Sequence, residues 1–336
     1  MKKRTTGRQG PGRDSICLLP ILLCLLLTAC RVIPSNPSLD AQTAGTQSPA
    51  AESAVPADTD SKARQSKEAG KKDGSGDPLP AQQDPARLAA LVSEQYGVRI
   101  LLGEDVPLVY KDYTAACLDD PEKTAAALTV LDSTLSVFPP GFFASVKEGY
   151  CDSISICLAQ DLHAVNDDHY IESAYAFTTV QDNTIWLVLN AARPLQRGIL
   201  IHELTHVIDY RLLGMQQLPE EEWNRLNPPS FSYYNSYLDE KGTDLRLSGS
   251  QEYTALSEED PDRIWFCDSY SKTFAMEDRA RLMENLMDPD DISDRLFSSP
   301  HVRTKLRFYF YILRQAFENS RWPEETAWEA ALRKVS

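Results

Sequence analysis

Apolar residues never run long enough in this sequence to make a comfortable membrane span. The longest stretch, residues 16–27, falls well short of the about 20 that a crossing helix needs. Histidine is scarce, with five in 336 residues. His163, His169 and His301 belong to no pattern and read as ordinary surface or core histidines. No cysteine stands at a spacing to histidine that would make a nucleophile or a metal site. The acid clusters at 220–222, 258–260 and 288–291 lack the spacing of a calcium loop and read as solvated surface. Basic residues are outnumbered, 34 against 49 acidic ones. Such a surface disfavours nucleic acid and anionic lipid as partners. There is no internal repeat.

The front of the chain is organised differently from the rest. Lys2, Lys3, Arg4, Arg8 and Arg13 precede the apolar stretch, which ends in Leu27-Thr28-Ala29-Cys30. A basic start, a short apolar core and small residues before the cut describe a secretory signal. The four-residue ending resembles a bacterial lipobox. That resemblance implies a signal peptide over 1–29, a lipid on Cys30 and a protein anchored outside the cytoplasmic membrane. Removing residues 1–29 leaves 29 basic and 48 acidic residues, a net charge of −19. Cys117, Cys151, Cys157 and Cys267 remain after Cys30, either as free thiols or in one of three pairings.

Residues 30–84 read as a disordered tether. After Ile33 they hold no aromatic and almost no large apolar side chain, too little to offset the entropy of ordering. As a flexible coil the segment reaches about 40 Å. A folded domain over 85–336 is expected beyond it. Helices are expected over 85–96, 121–137, 274–287, 300–318 and 324–333, and strands over 98–102 and 153–158. Residues 174–180 and 184–189 are β-rich runs joined by Gln181-Asp182-Asn183, a hairpin signal. Past Gly214 the pattern is loop-like and aromatic, and residues 238–262 are expected as an exposed insertion.

Between the hairpin and that loop lies Ile199-Leu200-Ile201-His202-Glu203-Leu204-Thr205-His206-Val207-Ile208-Asp209, an HExxH motif in a helix-period run. Residues four apart stand one turn apart on one side of a helix, so His202 and His206 can meet one ion. Zinc takes neutral imidazoles readily and leaves one position for water in catalytic sites. Glu203 is placed to take a proton from that water. Leu200, Leu204, Val207 and Ile208 gather on one side, with His202, Glu203, His206 and Asp209 opposite, facing an expected cleft. Pro194 suits the first turn and Gly214 the residue past the end.

A third ligand must come from elsewhere. Asp209 and Leu212 stand where the metzincin pattern needs Gly and a further ligand, so that pattern fails. The best remaining candidate is Glu277, preceded by Tyr270 seven residues earlier; Glu284, a further seven on, is the runner-up. HExxH followed by Tyr-x6-Glu resembles the gluzincin group of zinc metallopeptidases, and more closely the zinc-binding peptidases of bacterial surfaces and the lethal-factor-like proteases. The resemblance covers residues 190–290. It implies an α+β zincin-like domain with a small mixed sheet, an active-site helix and a mostly helical C-terminal lobe. It further implies Zn2+ held by His202, His206 and Glu277, with Glu203 as catalytic base. Tyr270 would donate to the oxyanion, a role for which Tyr233, Tyr234 and Tyr237 compete. An edge strand, 174–180 or 184–189, would pair with a peptide substrate. In the thermolysin-like branch an Asp four residues past the ligand Glu orients a zinc histidine. Arg281 stands there instead, so Asp209 or Asp278 becomes the candidate acceptor. The expected function is a membrane-anchored zinc peptidase. The rival readings are an inactive zincin-fold binding lipoprotein and a cell-wall peptide hydrolase.

Overall fold

The computed structural model describes residues 28–30, 84–111, 113–164 and 174–335. Residues 1–27 of the expected leader, residues 31–83 of the tether, and His169 lie outside the described residues. The fold is α+β, a small mixed sheet joined to a helical C-terminal half. Its strands are β1 (Thr28–Cys30), β2 (Arg99–Leu101), β3 (Tyr113–Cys117), β4 (Ser153–Ala164), β5 (Ala176–Gln181) and β6 (Thr184–Asn190). Its helices are α1 (Pro85–Tyr96), α2 (Pro121–Leu135), α3 (Phe142–Lys147), α4 (Arg197–Gly214), α5 (Glu220–Asn224), α6 (Leu245–Ser248), α7 (Ala275–Met287), α8 (Ser293–Ser298), α9 (Pro300–Ala316) and α10 (Ala327–Lys334). No helix among the described residues is long and apolar enough to cross a membrane.

Helix starts follow local chemistry. Asp84, Asp120 and Ser299 each accept hydrogen bonds from the first free backbone N–H groups of α1, α2 and α9, with Pro in the first turn. Thr326 and Glu329 close a capping box on α10. Gly97 ends α1 at φ 69°, a left-handed position that costs glycine little.

The sheet runs β1-β5-β6-β4-β2, with β3 also on β4. β4 is long enough for two partners on one side. Ser155–Cys157 pair in parallel with Arg99–Leu101, and Ala159–Ala164 pair antiparallel with β3. β6 runs parallel to β4 from Ser153↔Thr184 to Ala159↔Asn190. β5 and β6 form the expected hairpin. Asp182 and Asn183 both take positive φ, 50° and 56°, the pair of left-handed residues a tight two-residue turn requires. β6 is therefore interior, which removes residues 184–189 as the substrate-pairing edge. β5 has β6 on one side and Thr28–Cys30 antiparallel on the other.

Strand alternation sorts the two faces. Ile154, Ile156, Leu158, Ile185, Leu187 and Leu189 enter the main core with α2, α3, α4 and the C-terminal helices. Cys157, Ala159, Phe177 and Val188 point the other way, into a smaller cluster with Val106, Tyr110 and Tyr113. Tyr113 stacks on Phe177 there at 4.1 Å between centroids. Residues 238–262 are only partly the exposed insertion expected from their polarity. Arg246, Thr254 and Ala255 are buried, and Lys272 ties the segment down through the carbonyls of Ser250 and Glu252. Cys117, Cys151, Cys157 and Cys267 are all free thiols.

Candidate metal centre

The hairpin delivers the chain to α4, the helix that carries HExxH. It begins at Arg197, so Pro194 lies before it rather than in its first turn. Its amino end is held from outside, since Gly198 N–H donates to Asp288 Oδ2 at 2.8 Å. Every residue from Gly198 to Leu212 is buried. The expected division into a core face and a cleft face gives way to a helix covered on all sides. β5 lies against the Glu203 side and α7 against the histidine side. Gly214 is the last residue of α4, not the one past it. The Tyr150 ring packs where its side chain would be, in the path of an added Cβ.

α7 brings Glu277 to the histidines. The ligand atoms of His202, His206 and Glu277 all lie within 4.8 Å of one another, and each residue is at most 1 % exposed. Glu277 Oε2 stands 3.0 Å from His202 Nε2 and 3.3 Å from His206 Nε2. Glu277 Oε1 accepts a hydrogen bond from Tyr237 at 2.5 Å. Two imidazole nitrogens and a carboxylate converging in a buried space are a donor set suited to a divalent ion such as zinc.

Burial works against charge on His202, but the carboxylates of Glu277 and Glu284 outweigh it and raise its pKa to about 10. Burial likewise opposes ionisation of Glu277, and the two histidines overcome that and hold it well below the usual carboxylate range. Glu284 is brought to about 2 by Arg281 and His202 against its own desolvation.

Glu203, one residue past the first ligand, is fully buried. Thr178 of β5 donates to its Oε2 at 2.6 Å, which fixes the carboxylate on the sheet side of the cluster. The sequence carried no signal for Thr178, because the contact depends on how β5 lies across α4.

The four tyrosines separate. Tyr270 is buried and stacks on His202, 5.9 Å between centroids and 16° between planes. Tyr237 donates to Glu277. Tyr233 instead donates to Asp278 at 2.7 Å, and Tyr234 lies beside Lys272. The two acceptors expected behind the histidines are engaged elsewhere. Asp209 takes Arg279 Nε at 2.6 Å and the Tyr309 hydroxyl at 2.8 Å. Asp278 takes Lys305 at 2.7 Å as well as Tyr233. Glu284 is the carboxylate behind His202, its Oε2 3.0 Å from Nδ1. It thus approaches the ring from the side opposite the three converging atoms, which fits an acceptor better than the runner-up ligand role.

No family model matches the sequence, and no curated protein matches it. Among solved structures, a crystal structure from Bacteroides caccae ATCC 43185, described as a "putative zinc-binding metallo-peptidase", aligns with a TM-score of 0.43 at 11 % identity. The alignment covers 77 % of this chain and 92 % of that one.

Proposed function

We propose that the chain is a zinc-dependent peptidase whose ion is held by His202, His206 and Glu277. The observation that carries the reading is the convergence of three buried ligand atoms within 4.8 Å, with Glu203 one residue from the first of them. The donor set fits zinc, because His202 Nδ1 is taken by Glu284 and its Nε2 is the nitrogen aimed at the cluster. When bound, zinc polarises the scissile carbonyl and makes water acidic enough to attack near neutral pH.

The chain's own groups do the rest. Glu203, aimed by Thr178, accepts the proton of the attacking water and passes it to the departing amine. Tyr270 donates to the developing oxyanion in this reading, which its ring stacked on His202 supports. Tyr237 acts on Glu277 instead, orienting the carboxylate ligand. The substrate is a peptide in extended form, adding beside β5 on the side that Thr28–Cys30 occupies, which removal of residues 1–29 would largely clear.

In the same proposal residues 1–29 are a signal peptide and Cys30 carries the lipid. Residues 30–84 then tether a catalytic domain of 85–336 outside the cytoplasmic membrane. Glu203→Gln supplies the test. The variant is expected to bind zinc at parental stoichiometry and to lose at least about a hundredfold in peptide hydrolysis, in line with loss of a general base. Chelation is expected to abolish the parental activity, and added zinc to restore it. Bound zinc with no cleavage of any peptide by the parent would favour the binding-lipoprotein reading.

A further inference from the structure

We propose that Glu284 is a positioning residue that sets the tautomer and aim of His202, and that Arg281 holds Glu284 to that task. The inference rests on the metal reading above and assigns a role that the motif does not contain.

Glu277 and Glu284 are seven residues apart on α7, two turns along one side of the helix. They grip the same imidazole from opposite ends, Glu277 Oε2 at Nε2 and Glu284 Oε2 at Nδ1, both at 3.0 Å. A carboxylate only accepts, so the nitrogen facing Glu284 must carry the hydrogen. Nε2 faces Glu277 and His206, and it is the nitrogen that would give up its hydrogen and offer its lone pair to an ion while Nδ1–H stays on Glu284.

Glu284 is itself held. Arg281 Nη1 lies 2.5 Å from the same Oε2, and Arg281 is fixed through Nε and Nη2 to Asp268 Oδ2 at 3.0 and 2.8 Å. A continuous chain of charge-assisted hydrogen bonds thus runs Asp268–Arg281–Glu284–His202. The backbone makes room for it. Gly198 lies one turn before His202, and a Cβ there would come within 3.3 Å of Glu284 Cγ and 3.1 Å of Asp288 Oδ2. His206 has no counterpart, since its Nδ1 is buried with no hydrogen-bond partner among the described residues. The arrangement orients one ligand of the pair, and nothing among the described residues duplicates it.

The test measures metal affinity by competition with a chromogenic chelator, and the visible spectrum of the cobalt-substituted protein. It compares the parent with Glu284→Ala, Glu284→Gln, Arg281→Gln and His206→Ala. Glu284→Ala is expected to lose about 10–100-fold in zinc affinity and to shift the cobalt bands. Glu284→Gln keeps an acceptor for Nδ1–H and is expected to lose less. Arg281→Gln loosens the carboxylate without removing it and should fall between the parent and Glu284→Ala, which keeps the inference testable if the alanine variant fails to fold. Zinc affinity within threefold of the parent and an unchanged cobalt spectrum, in Glu284→Ala or, failing that, in Arg281→Gln and Glu284→Gln together, would overturn the positioning role alone. A parent that binds no zinc, or a His206→Ala protein that binds it as tightly as the parent, would overturn the metal reading and this inference with it.

Discussion

One of the bonds between α4 and α7 is a buried ion pair, and its removal has a calculable cost. Asp209 and Arg279 have fully buried side chains and meet at 2.6 Å. Arg279 Nη1 and Nη2 are buried without hydrogen-bond partners among the described residues, and the guanidinium lies 5.2 Å from the Trp223 ring centre. Asp209→Ala therefore strands a buried cation and also leaves the Tyr309 hydroxyl without its acceptor. Breaking one side of such a pair costs about 3–5 kcal/mol. For a domain of this size each kcal/mol is worth about 2–4 °C, so the midpoint should fall by about 6–20 °C. Replacing both partners together, Asp209→Leu with Arg279→Met, removes the stranded charge and should recover most of the loss. The assay is thermal and urea unfolding of the metal-free protein near neutral pH, which keeps ion binding out of the comparison. A single variant that loses under about 1 kcal/mol, or a double variant no better than the single one, would refute the reasoning.

Two further outcomes follow from the same structure. Gly214→Ala should cost about 1–3 kcal/mol by driving a methyl group into the Tyr150 ring, and Tyr150→Ala in the same chain should remove the penalty of the added methyl; thermal denaturation of the four proteins checks it. In the metal-free protein His202 stays protonated up to about pH 10, against 6.5 for an ordinary histidine. The stability it contributes is complete below pH 6.5 and drains away as pH rises toward 10. The melting temperature of chelator-treated protein should fall over that window more steeply than that of His202→Ala, and equal slopes would count against the assignment.

Much of the fold was readable because it is local. Asp120-Pro121, Ser299-Pro300 and Asp182-Asn183 declare two helix starts and a turn from neighbouring residues alone. β3, which pairs with the far end of β4, went unanticipated because its existence depends on that distant partner. The histidine pair was legible from its spacing, and Tyr270-x6-Glu277 from resemblance. What surrounds them was not. Asp209 and Asp278 sit beside motif residues in the chain, yet point to Arg279 and Lys305, because the sequence does not say which element covers which side of a buried helix. Thr178 has no signal for the same reason, and seven-residue spacing puts Glu284 on the face of a ligand without giving its distance. The glycine at 214 looked like punctuation and is a seat for an aromatic ring.

Glu277 follows His206 by 71 residues, and the chain between them wanders through loops before α7 returns to α4. In a half-made or denatured polypeptide the two imidazoles have no carboxylate to complete the set, so an ion has almost nothing to choose there over water. On the proposed reading its grip would belong to the finished topology and would stabilise the native state by about 4 kcal/mol at free ion a thousandfold above the dissociation constant. Metal occupancy would then serve as a readout of whether the two halves of the molecule have found each other.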